Sequence, residues 1–146
     1  MKVLETLHVA AAVLWLGNFA VTGVWALRAA LTRQAGVFAF AAREIVFTDI
    51  VFTLVFGTAV VTSGLELGRM EHLDVLQLFW TRTALTIVGV SAIVWLALLL
   101  PLEVAMLRAA AAGIRKSRLF AAWNAVGWLL TLALFFVIYL MIAKPV

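Results

Sequence analysis

Two histidines, seven carboxylates and eleven basic side chains supply most of the ionisable chemistry in 146 residues, and cysteine is absent. That absence removes disulfides, thiolate metal sites and cysteine nucleophiles, and leaves the compartment open. His8 stands out because it lies within an apolar run, one turn after Glu5 and two turns before Trp15. Spacings of three, four and seven place Glu5, His8, Ala12, Trp15 and Thr22 broadly on one helix face. A neutral imidazole there can ligate haem iron or another metal, or relay a proton. The small Ala11 and Ala12 beside it would admit a flat cofactor. The alternative is an interfacial histidine hydrogen-bonded to a neighbouring helix.

Asp49 is the second candidate, one turn inside the second apolar run. It can pair with Arg43 or Arg28, accept hydrogen bonds around Thr48 and Thr53, or relay a proton. Asn18 and Asn124 have the types expected of interhelical hydrogen-bond partners. A third group consists of cations: Arg69, Arg82 and Lys144 fall at the same chain end as His8, with His72 in the turn between them. An imidazole below such cations suits haem, with iron on the ring and propionates on Arg or Lys. His72 would be needed for a bis-histidine haem, and a solvent-exposed turn residue is the competing reading. A small-ion or metal transporter would need a polar path from Asp49 to His8, and the middle of the bundle offers only Thr and Asn.

The elements that must position these groups follow from composition. The chain is 66% hydrophobic and 12% charged, with a mean hydropathy of +1.17. Soluble domains run at about 45–50% apolar and about 25% charged, so the bilayer is the expected solvent. Membrane-spanning helices need about 20 mainly apolar residues. Four stretches qualify: 4–27, 45–65, 79–101 and 120–142. None alternates as a barrel strand would. The first is too long for a signal peptide and has no convincing cleavage site, so it is expected to stay as a helix. Pro101 can bend or end the third, and the apolar run beyond it suggests an extension. The expected fold is an all-α, single-domain bundle of four transmembrane helices over residues 1–146.

Loop charge gives the orientation. Loop one holds Arg28, Arg33 and Arg43; loop three holds Arg108, Arg115, Lys116 and Arg118. The other side holds Lys2, Arg69, Arg82 and Lys144, diluted by Glu5, Glu66, Glu71 and Asp74. Short basic loops stay cytoplasmic, so both termini are expected outside. A pI near 10.4 therefore reports orientation and lipid phosphates rather than nucleic acid. Residues 107–117 suggest a helical overhang ending near Gly113 and then a basic turn. Gly64 and Gly68 form a small-xxx-small pair suited to close helix contact. Trp25, Trp80 and Trp123 fall near expected interfaces, where indole is favoured.

The stretch LETLHVAAAVLWLGNF, with Leu7, His8, Trp15 and Gly17, resembles the opening helix of a bacterial superfamily of small membrane proteins. That superfamily includes HemJ-type protoporphyrinogen oxidases, the membrane domain of CopD-type copper-resistance proteins and a related predicted integral membrane family of unknown function. Gly57, Trp80 and the closing Lys144-Pro145 fit the same layout. The resemblance implies b-type haem, with His8 as iron ligand. It departs from the HemJ type where that family has a lysine after a tryptophan: here the order is Trp80, Thr81, Arg82, Thr83. The family's Asn-Glu-x-Pro in the last helix is also missing, leaving Asn124. These departures point to the uncharacterised branch.

The expected function is thus a haem b-binding or redox-linked protein of a bacterial inner membrane. His8 would be the ligand, His72 a possible second, and Arg69, Arg82 and Lys144 partners of propionates or an anionic substrate. Its expected partners are the lipid bilayer, a haem or porphyrin, and other membrane subunits or copies of itself. The alternative is a cofactor-free accessory or scaffold subunit.

Overall fold

The structure, a computed structural model, describes residues 1–113 and 117–145. Helix α1 (Lys2–Leu31) is span one. Span two joins α2 (Ala35–Phe52), a π-helical segment (Thr53–Gly57) and α3 (Thr58–Met70). Span three joins α4 (Phe79–Val94), a second π segment (Trp95–Leu99) and α5 (Leu100–Ala111). Span four is α6 (Ser117–Ala143). All four are long and apolar enough to cross a membrane. They outrun the expected apolar stretches at most ends because alanine-rich flanks such as Ala29–Ala30 and Ala109–Ala111 are strong helix formers. Span two, at 36 residues, is about 54 Å long at 1.5 Å per residue, against a hydrocarbon core of about 30 Å.

Pro101 does not end span three. It has no N–H for the carbonyl behind it, and its ring would crowd a regular α-turn. The π segment directly before it widens the turn, and the helix runs on to Ala111. Gly113, at φ 71°, makes the stop expected there. The basic turn with Arg115 and Lys116 lies outside the described residues.

Span one is the most enclosed helix, with 44% of its apolar window buried against 17% for each of the others. It packs on span two and span four, and span three closes the ring between those two. The core is built from Trp15, Leu16, Phe19, Ile45, Trp95, Leu99, Met106, Trp123 and Leu134. Large apolar side chains such as Phe47, Leu96, Leu129 and Phe135 face outward, as a bilayer allows. The bundle is not packed evenly along its length. At the end carrying the basic loops, α2 packs on α5. At the end carrying the termini, α3 packs on span one and α4 on span four, with no close backbone approach between α3 and α4. The helices are closed at the basic end and parted between spans two and three at the terminal end.

Candidate functional sites at the two ends of the bundle

His8 continues toward the terminal end the buried stripe of span one marked by Ala11, Trp15, Phe19, Thr22 and Ala26. The ring is half-buried and lies on span two, where glycine makes room. A Cβ on Gly64 would sit 3.0 Å from His8 Cε1, and one on Gly57 would sit 3.2 Å from Trp15 Cε2. Both pairs are seven residues apart on their own helices, so two rings of span one rest in two notches of span two. Gly68, the other half of the small-residue pair, faces Val75 of the following turn instead.

The tautomer of His8 follows from its partner. Ser63 has one hydroxyl proton and donates it to the Ala59 carbonyl. Its Oγ, 3.0 Å from His8 Nδ1, is therefore an acceptor, and Nδ1 carries the ring proton. Nε2 is left with its lone pair, as a ligand nitrogen requires.

The cations are not gathered around that nitrogen. Arg69 is exposed and pairs with Glu66 at 3.3 Å. It borders a groove of about 830 Å³ between spans one and two, lined also by Ala10, Ala11, Ala59 and Ser63. Lys144 lies over the Trp80 ring at 5.4 Å, and Arg82 is exposed on α4; both belong to the pair formed by spans three and four. His72 is exposed in the turn at φ 55°. Among the described residues, no three His, Asp or Glu side chains gather as a metal site. The fit to haem rests on the His8 nitrogen, and of these three cations Arg69 is the one on a helix, α3, that packs against span one.

The basic half holds a second cluster, with one side chain from each helix. Asn18 Nδ2 donates to Asp49 Oδ1 at 2.7 Å. Trp123 Nε1 donates to Glu103 Oε1 at 2.9 Å. The two carboxyl groups come within hydrogen-bonding reach of one another. Asp49 is 2% exposed and Glu103 1%. Polar groups thus link span one to span two, span two to span three, and span three to span four.

The sequence of this chain matches, from residue 2 to residue 145, the model of a family described as a predicted integral membrane protein, DUF2269. The chain belongs to that family. No curated protein and no solved structure matches it.

Within this DUF2269 chain, the basic-half cluster corrects several expectations. Asp49 does not pair with Arg43, which lies beside Glu44 at 3.8 Å; it takes its hydrogen bond from Asn18, which acts as the interhelical partner expected of it. Trp123, expected near an interface, is turned into the bundle as a buried donor, 4% exposed. Glu103 is absent from the sequence expectations because Pro101 set the limit of span three. The signal that would have found it is its period: Trp95, Leu99, Glu103 and Met106 recur at helical spacing, and all four are buried.

Proposed function

We propose that this family member is a multi-pass protein of a bacterial cytoplasmic membrane, both termini outside, that binds b-type haem or is otherwise redox-linked through His8. One observation carries the reading: His8 Nδ1–H is committed to Ser63, and its Nε2 lone pair stands at the end where the bundle is parted. A hydrogen-bonded Nδ1 fixes the ring orientation and raises the basicity of the opposite nitrogen, the usual arrangement behind a ligating histidine. The likeness of Leu7-His8 and Trp15-x-Gly17 to HemJ-type proteins supports the same assignment. Haem, when bound, supplies one-electron chemistry. His8 would hold its iron and Arg69 a propionate; Arg82 and Lys144, on the pair formed by spans three and four, are not part of that set.

Visible absorption of the detergent-purified protein, oxidised and dithionite-reduced, tests this beside His8→Ala. The expected result is a Soret band and a sharp reduced α-band, both lost in the variant. A flat spectrum from haem-replete cells would overturn it. The favoured reading would then be a cofactor-free accessory subunit, in which the His8 ring seated on Gly64 is a packing residue and other membrane subunits or copies of the chain are its partners.

A further inference from the structure

The carboxyl pair at the basic half is not used by the His8 reading. Asp49 and Glu103 are the deeply buried acids of the described chain, and neither has an ionic partner among the described residues. Span one turns Asn18 and Thr22 toward this region, and span four turns Trp123, Asn124 and Thr131; none of these titrates. The described basic residues of this end, Arg28, Arg33, Arg43, Arg108 and Arg118, are all exposed.

Two bare carboxylates side by side, away from water and without a cation, repel each other and lose their hydration. A single proton between them removes the repulsion and leaves one charge, shared across the contact, to be stabilised. It also supplies the donor that their contact lacks. Asn18 occupies one Asp49 oxygen and Trp123 one Glu103 oxygen, while Glu103 Oε2 is buried with no donor from the protein.

On the Asp49 side of the pair lies a cavity of about 20 Å³ bordered by Asp49, Thr22, Asn124 and Thr131, room for one water. Asn124 Nδ2 is buried without an acceptor, and a water there would accept from it. The backbone marks the same place twice. Asp49 lies four residues before the π segment at Thr53, and Glu103 four residues after the one ending at Leu99. Such segments are rare and are frequent at functional sites.

We propose that Asp49 and Glu103 form a proton-exchange site, holding one proton between their carboxyl groups and passing it through the adjoining water cavity. In the exchange the pair gives its proton to the cavity water as that water returns one of its own, so the pair keeps one proton throughout, with the Asn18 and Trp123 N–H groups holding the two outer oxygens. The site depends neither on His8 nor on a cofactor.

Infrared spectra of the full chain in lipid vesicles, in light and heavy water, test this. The expected result at neutral pH is a protonated-carboxyl C=O band that shifts on deuteration. It is lost in both Asp49→Asn and Glu103→Gln. In Trp123→Phe, which keeps an aromatic ring but removes the donor on Glu103, the band persists and moves. Should either acid variant fail to fold, the wild-type exchange and Trp123→Phe decide. The proposal is overturned by any of several outcomes: no such band, a band that survives both acid variants, one unmoved in Trp123→Phe, or one that never exchanges into heavy water. Loss of the band on adding sodium or potassium chloride at constant pH would overturn it in favour of a cation site.

Discussion

Asn18 donates to Asp49 across 2.7 Å, and this bond ties the most enclosed helix of the bundle to the buried acid of span two. Asn18→Ala is expected to leave Asp49 Oδ1 without its donor and lower stability by about 1–2 kcal/mol. Thermal unfolding in detergent measures it, and an unchanged midpoint would show that Asp49 finds another donor at no cost.

The glycines of span two should not be interchangeable with those elsewhere. Gly57→Ala places a methyl 3.2 Å from the buried Trp15 ring and is expected to cost about 1 kcal/mol. Gly89→Ala meets nothing within 4 Å on an exposed helix face and is expected to stabilise by up to about 1 kcal/mol through helix propensity. Parallel melting curves of the two variants should move in opposite directions.

The tautomer of His8 is open to direct observation. Nitrogen NMR of His72→Gln protein, labelled at histidine and free of haem, should show His8 protonated at Nδ1 and bare at Nε2. Ser63→Ala removes the Nδ1 acceptor and is expected to release the ring into a mixture of tautomers. An Nε2-protonated ring in the parent would contradict the hydrogen-bond direction assigned to Ser63.

Because the chain has no cysteine, single-cysteine variants report topology cleanly. With both termini outside, Asp74→Cys is expected to react with an impermeant maleimide added to intact cells. Arg33→Cys should react only after the membrane is opened. The reverse pattern would invert the orientation drawn from loop charge.

Lys144 over Trp80 joins the end of span four to the start of span three. Trp80→Leu is expected to cost about 0.5–1 kcal/mol and to hasten proteolysis of the C-terminal residues. The exposed Arg69–Glu66 pair is worth less: Glu66→Gln is expected to change stability by no more than about 0.5 kcal/mol.

The fold was legible because the bilayer demands long apolar helices, and four such runs are plain. Ends were less so: helix propensity, not hydropathy, carries Ala109–Ala111 and Ala29–Ala30 beyond the apolar stretch. His8 was visible as a lone ionisable group in an apolar run. Glu103 has the same signature but stands behind a proline, and the π segment that lets the helix pass Pro101 leaves no mark in composition. The exchange of partners at Asp49 was hidden for another reason: which asparagine meets which acid depends on how separate spans are rotated, and one sequence does not state that.

The four-helix polar joint lies toward one end of molecules that are parted between spans two and three at the other, which makes the bundle a pair of forceps. From Asp49 to Met70 the lever is about 30 Å at 1.5 Å per residue. A rotation of about 4° at the joint would then carry the tip of span two through about 2 Å by the same helix geometry. Helix tilt answers to bilayer thickness, so a thinner or thicker membrane would act first on the spacing of spans two and three at the end that carries His8.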